Sequence, residues 1–250
     1  MTSTQRSGIR VGTSGWNYDH WRGRFYPDDC TQKDWFGYYA EHFDTVEINN
    51  TFYNLPEEST FDSWREKSPE GFVYTLKANR YITHLKRLKD PEEPVGRFVG
   101  RARRLEDRLG PVLWQLPPNW HKNSARLENF LGVIPGDMRH VFEFRDEEWF
   151  DDDILQMLEN AGVSFCTHDM PGIDVPRTAT GPIAYVRFHG TDEKYRGRYS
   201  DETLRDWAGW LSQQHEEEGR DIYAYFNNDA GAQAPRDAMR LRQELESRLA

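Results

Sequence analysis

Short apolar runs recur along the chain, and several end in polar residues spaced two apart: Glu47 and Asn49, Glu143 and Arg145, Arg187 and His189. In an extended strand, residues two apart project from one face, so each pair leaves its strand end together. Runs enriched in β-branched and aromatic residues predict strands over Ile9–Gly12, Thr45–Asn49, Phe72–Lys77, Pro111–Gln115, His140–Phe144, Ser164–Thr167, Ile183–His189 and Asp221–Phe226. Helical periodicity fills most of the gaps, over Lys33–His42, Thr60–Lys67, Glu92–Arg108, Ala125–Leu131, Asp152–Asn160 and Thr203–Glu218. A last helix is predicted over Ala234–Leu249, where Met239, Leu241, Leu245 and Leu249 make an apolar stripe.

Eight strands separated mainly by helices within 250 residues predict the α/β class and a (β/α)8 barrel of the TIM type. An open doubly wound sheet loses its main support at Gly12-Thr13-Ser14-Gly15-Trp16, where the glycines are wrongly spaced for a dinucleotide and Trp16 obstructs a pyrophosphate. The repeat is expected to turn irregular after strand six, because Pro171, Gly172, Pro176, Gly181 and Pro182 oppose an outer helix. No interior stretch reads as a linker, so residues 1–250 are expected to form one domain with a flexible N-terminus over 1–8.

Composition narrows the partners. The chain is 37% hydrophobic and 14% aromatic, and its large rings make a sizeable core feasible. A formal net charge of -10 argues against a broad surface for duplex nucleic acid or an anionic membrane, leaving room for a local basic pocket. Two distant cysteines, Cys30 and Cys166, support neither a disulfide framework nor a thiolate metal cluster. With no signal-like or membrane-spanning run, a cytoplasmic location is expected.

A parallel barrel carries its chemistry at the carboxyl ends of its strands, so those ends nominate the site. Glu47, between Val46 and Ile48, is costly to bury unpaired and is a candidate base, acid or cation partner. An ion pair inside the barrel, with Lys77 or Arg145, is the structural alternative. Lys77 ends strand three and offers anion binding, a base of lowered pKa or a Schiff-base amine. Glu143 and Arg145 present a carboxylate and an anion clamp, or neutralise each other. Arg187 and His189 end strand seven, and the following Lys194-Tyr195-Arg196-Gly197-Arg198-Tyr199 reads as a basic, aromatic lid or as a solvated loop. Tyr225-Phe226-Asn227-Asn228-Asp229 ends strand eight, where phosphate is commonly cradled and where a helix cap is the plainer reading.

The candidate set is therefore Glu47, Lys77, Glu143 and His189 for catalysis. Candidates for binding are Ser14, Trp16, Asn49, Tyr53, Arg80, Gln115, Arg145, Asp169, Arg187, Tyr195, Tyr199, Asn227, Asn228 and Asp229. A retaining glycosidase fits poorly, because the ends of strands four and seven offer Gln115 and Arg187 or His189 instead of paired carboxylates. No resident cofactor or metal is expected. The leading expectation is an enzyme of acid–base type, hydrolytic or lyase-like, acting on a small phosphorylated or carboxylated molecule. One alternative is a metal-dependent phosphodiesterase or nuclease, with a divalent ion drawn from Glu47, His84, Glu143, His168, Asp169 and His189, and bases stacked on Trp16, Trp21, Tyr53 and Tyr195. The other is a barrel that binds a ligand or partner without turnover.

These motifs also carry a family resemblance. Gly12-Thr13-Ser14-Gly15-Trp16, Val46-Glu47-Ile48-Asn49-Asn50-Thr51-Phe52-Tyr53, Gln115-Leu116-Pro117-Pro118, Glu143-Phe144-Arg145, Arg187-Phe188-His189-Gly190 and Tyr225-Phe226-Asn227-Asn228-Asp229 closely resemble the YecE-like family, domain of unknown function 72. The resemblance runs from about Ile9 to the last helix, departing locally at Thr191 and Pro235. It implies a TIM-type barrel and, as the family label says, no assigned activity.

Overall fold

The eight apolar runs become eight parallel strands: β1 (Ile9–Thr13), β2 (Thr45–Ile48), β3 (Val73–Lys77), β4 (Leu109–Gln115), β5 (His140–Glu143), β6 (Ser164–Asp169), β7 (Ile183–Phe188) and β8 (Asp221–Phe226). They are seen in a computed structural model that describes residues 8–191 and 195–250. Residues 1–7 and Lys194, with the expectations placed on them, lie outside that range. The strands pair in the order β1-β8-β7-β6-β5-β4-β3-β2, a nearly closed barrel of the TIM type.

The remaining seam runs between β1 and β2. There the Tyr39 hydroxyl donates to the Thr45 carbonyl at 2.9 Å and receives the Thr13 amide at 3.1 Å. Gly12 makes the approach feasible, since a Cβ at that position would lie 2.5 Å from the Thr45 carbonyl oxygen.

Outside the strands pack α1 (Trp35–His42), α2 (Asn50–Tyr53), α3 (Glu58–Lys67), α4 (Glu92–Ala102), α5 (Ser124–Leu131), α6 (Asp152–Asn160), α7 (Asp201–Glu216) and α8 (Gln233–Arg248). Side-chain acceptors start several of them: Asn123 caps α5, Asp151 caps α6 and Ser200 caps α7. Pro235 sits in the first turn of α8, where a missing N–H costs nothing. The single helix expected over Glu92–Arg108 stops at Ala102. It continues as a 3₁₀ turn over Arg103–Arg108 in which Glu106 takes a φ of 51°. Between β6 and β7 the described chain is irregular, as its prolines require.

Strand alternation divides the core in two. Val46, Leu76, Trp114, Phe142, Phe165, Val186 and Phe226 belong to the main core with the helices. Leu113, Val141, Cys166, Ile183, Tyr185, Tyr223 and Tyr225 form a second cluster inside the barrel. Tyr225 crosses this interior, its hydroxyl 2.6 Å from Thr45 Oγ1 and 2.8 Å from Thr75 Oγ1. Two residues further along the strands, the same faces carry Glu47, Lys77, Glu143, His168, Arg187 and Asn227. The barrel's interior thus changes from aromatic to charged in one layer. Among the described residues, no helix is long and apolar enough to cross a membrane.

Candidate functional site

The charged layer is held together by Arg187. Its Nη2 donates to Glu47 Oε1 at 2.6 Å, its Nε to Glu47 Oε2 at 2.9 Å, and its Nη1 to Glu143 Oε2 at 2.7 Å. Glu47 also accepts from Ser14 Oγ at 2.8 Å and Tyr185 Oη at 2.6 Å, while Glu143 accepts from Gln115 Nε2 at 2.9 Å and from Arg145 Nε. Glu47, Glu143 and Arg187 are all buried. Burial works to raise the Glu143 carboxyl, but Arg145 and Arg187 outweigh it and hold the group well below the ordinary carboxylate range. Both carboxylates are therefore committed to guanidiniums. Glu47 pairs with Arg187 and not with the Lys77 or Arg145 expected from the sequence, Glu143 holds both Arg145 and Arg187, and a Glu143 carboxyl kept this low has little basicity.

His189 is fixed by the same cations. Its Nε2 lies 2.8 Å from Arg145 Nη2 and 3.3 Å from Arg187 Nη1, both donors, so Nε2 must accept and the ring proton belongs on Nδ1. Burial, with Arg187 and Arg145 beside it, pushes the imidazole well below its usual range. His189 is neutral, and its buried Nδ1 has no partner. His168 behaves alike: Nε2 donates to the Phe144 carbonyl at 2.9 Å, Nδ1 is unpartnered, and burial pushes the ring down to about 4.

Lys77 differs from these groups. It is 9% exposed, and its Nζ stands 4.2 Å from the centre of the Phe52 ring. Among the described residues, its ammonium has no ion pair or hydrogen bond. Burial and then Arg187 push it down to about 7, against weaker opposite pulls from Glu143 and Glu47. Burial and Lys77 in turn push the nearby His84 down to about 4.

Above this layer opens a cavity of about 880 Å³. Of the sequence candidates, Asn49, Tyr53, Lys77, Gln115, Arg145, Arg187, Tyr195, Asn227 and Asp229 line it. Glu47, Glu143 and His189 are in the buried layer, and Ser14 supports Glu47 without lining the cavity. Trp16 packs edge-on against Phe36, and Arg80 is exposed in front of the Tyr81–Leu85 turn, both outside the lining. The expected contact role of Tyr199 meets a buried ring packed against Phe188 and Phe226, beside Asp169. Asn228 is buried and ties the loop to Gly197 and Asp237. Tyr195, at a φ of 70°, reaches the cavity from the expected lid.

The candidate residues named from the sequence leave most of the outer wall open. Tyr18, Pro118, Asn119, His121, Asp146, Glu147, Glu148 and the 170–173 segment complete it. The metal ligands drawn from Glu47, His84, Glu143, His168, Asp169 and His189 do not come together. Among the described residues, the metal-competent trio is His121, Asp146 and Glu148, whose ligand atoms lie within 4.8 Å of one another at the exposed rim. His121 Nδ1 is there 3.4 Å from Asp146 Oδ2 and 3.0 Å from Glu148 Oε1.

Residues 10–250 match the family described as "Protein of unknown function DUF72". The chain is 26% identical to the UPF0759 protein YunF of Bacillus subtilis, covering 95% of each chain. It is likewise 26% identical to the UPF0759 protein YecE of Escherichia coli, over 84% of this chain and 85% of that one. The crystal structure of a DUF72 family protein from Thermotoga maritima superposes with a TM-score of 0.86 at 28% identity, covering 95% of this chain and 99% of the other. A DUF72 family protein from Enterococcus faecalis shares the fold, with a TM-score of 0.81 at 20% identity and 95% coverage of both chains.

Proposed function

Because the chain belongs to the DUF72 family of proteins of unknown function, its chemistry has to be argued from its own residues, and we propose that the barrel mouth is an active site performing acid–base chemistry on a small phosphorylated or carboxylated molecule. The observation that carries this is Lys77, a buried amine without a carboxylate partner on the wall of a cavity of about 880 Å³. Two glutamates and two arginines offset one another, so Lys77 supplies the excess charge of the floor when protonated. Deprotonated, it is the group free to take a proton, a role its pKa of about 7 suits.

Arg145 supplies the anion contact. Its guanidinium faces Glu143, His189 and the Met170 sulfur, and with five N–H donors it keeps one for the cavity that it lines. Asn49, whose Oδ1 is buried without a partner, and Asn227 orient the substrate from the flanks.

The test is a panel of small phosphate and carboxylate compounds, scored first for a rise in Tm and then for conversion by NMR. A compound that binds and is converted by the wild type, is not converted by Lys77→Met, and shows a kcat/KM rising through pH 7 supports the proposal. A bound compound recovered unchanged after long incubation assigns a binding barrel instead. Conversion that appears only when Mn, Zn or Mg is added assigns the metal-dependent alternative.

A further inference from the structure

The lysine at the cavity floor permits a narrower statement about substrate, which rests on the acid–base reading above. We propose that Lys77 Nζ is a nucleophile that condenses with an aldehyde or ketone bearing a carboxylate or phosphate, so that the substrate class of the mouth is the anionic carbonyl compound.

Three features support this. First, Lys77 is the last residue of β3, with its register set opposite Leu113 of β4 and the next amide bonded to the Leu113 carbonyl at 2.9 Å. The amine is thereby held on a rigid strand, as a reacting atom has to be. Second, the carboxylates that would ordinarily capture a lysine are occupied. Arg187 bonds Glu47 and Glu143, and Arg145 bonds Glu143, so the two anions of the layer face guanidiniums. Nζ is left against the face of Phe52 with Arg187 and Arg145 as like charges in its field, and desolvation beside another cation is how a lysine amine is made nucleophilic. Third, Arg145 lines the same cavity and keeps one charged N–H donor for a carboxylate or phosphate oxygen. An amine and a guanidinium lining one cavity fit a molecule that presents a carbonyl to one and an anion to the other.

The step balances without an oxidant or reductant. The Nζ lone pair forms a bond to the carbonyl carbon while the carbonyl π pair moves to oxygen, which takes a proton. Nitrogen releases one proton to the cavity solvent and then pushes its lone pair back to carbon. The oxygen takes a second proton and departs as water. The product is an iminium joining Lys77 to the substrate, with one water released, and its positive nitrogen lowers the cost of removing a proton from the adjacent carbon.

The experiment treats the full-length protein at pH 7.5 with sodium cyanoborohydride and, separately, glyoxylate, pyruvate and dihydroxyacetone phosphate, with acetone as the uncharged control. Peptide mass spectrometry then reads the reduced adduct on each lysine. The expected result, with at least one anionic probe, is labelling of Lys77 at least tenfold faster than any of the six other lysines, and at least tenfold faster than with acetone. Labelling of Lys77 no faster than the other lysines overturns the proposal. Tm shifts with the same probes on wild type and Lys77→Arg separate the two levels. A probe that stabilises both proteins but leaves no Lys77 adduct on wild type sinks the nucleophile and keeps the anion site, whereas the absence of both stabilisation and adduct sinks both.

Discussion

Arg187 on β7 and Glu47 on β2 meet across the barrel, with Arg187 Nη2 2.6 Å and Nε 2.9 Å from the two oxygens of one carboxylate. Their strands are separated by β8 and β1, so barrel closure alone makes them neighbours. Removing the cation would leave Glu47 and Glu143 buried without their shared partner. Arg187→Met is therefore expected to cost about 3–5 kcal/mol in urea unfolding. Glu47→Gln should cost less, because the amide oxygen still accepts from Ser14 or Tyr185. Equal losses for the two variants would count against Arg187 as the hub.

The amine at Lys77 has the opposite consequence for stability. Its pKa is about 7 when folded and near 10.5 when exposed, so between those values the unfolded chain holds the extra proton. The wild type is penalised most below pH 7, and the penalty shrinks as pH rises toward 10. Lys77→Met should thus be more stable than wild type by about 1–3 kcal/mol at pH 6.5, with the difference closing on the alkaline side. Paired urea curves from pH 6.5 to 9.5 give the answer, and a constant or growing difference would refute the assignment.

The histidines set the acid limit. His84 and His168 have folded pKa values of about 4, and His189 is lower than its ordinary range, whereas an unfolded histidine titrates near 6.5. Between pH 6.5 and 4 the unfolded chain takes up protons that the folded one refuses, so stability falls as pH falls. His140, also lowered by burial, is a fourth, and four such groups give a slope of at most about 5 kcal/mol per pH unit. Asp44, Asp169 and Asp229, raised chiefly by burial, oppose the trend at the lower end. Unfolding measured from pH 7 to 5 should show the loss, and His168→Gln should reduce the slope by about one proton. A flat profile over that interval would mean that these rings titrate normally.

How far these groups could be read in advance depended on the kind of information each needed. Strand periodicity is local, and it brought Glu47, Lys77, Glu143 and Arg187 to strand ends with shifts of only a residue or two. Their pairing is a property of barrel registration, absent from any window of sequence. An apparent cationic mouth accordingly became a neutralised layer with Lys77 as its excess cation. His168 is read from the sequence only as one of six candidate metal ligands, because the sixth strand is expected to stop at Thr167. It runs on to Asp169 because the sixth and seventh strands pair as far as Phe188. Tyr199, in a basic aromatic stretch, looked like a surface contact, and only the packing of Phe188 and Phe226 reveals it as core. The acidic rim at 146–148 was invisible as a wall, since loop positions follow from the elements beneath them.

Arg145 offers the cleanest separation of binding from folding. Its Nε and Nη2 face Glu143 and His189, and its side chain is 10% exposed at the cavity wall. Arg145→Lys keeps a positive charge near Glu143, which also retains the Arg187 contact at 2.7 Å. The fold should therefore lose less than the roughly 3–5 kcal/mol expected when a buried pair is broken outright. A lysine cannot hold Glu143 and His189 while still offering an N–H to the cavity, and losing a charge-assisted hydrogen bond of about 1.5–3 kcal/mol should weaken binding of inorganic phosphate or a carboxylate probe by roughly 10- to 100-fold. Calorimetric titration alongside urea unfolding reads both quantities on one preparation. Unchanged affinity in a stably folded variant would move the anion contact away from Arg145.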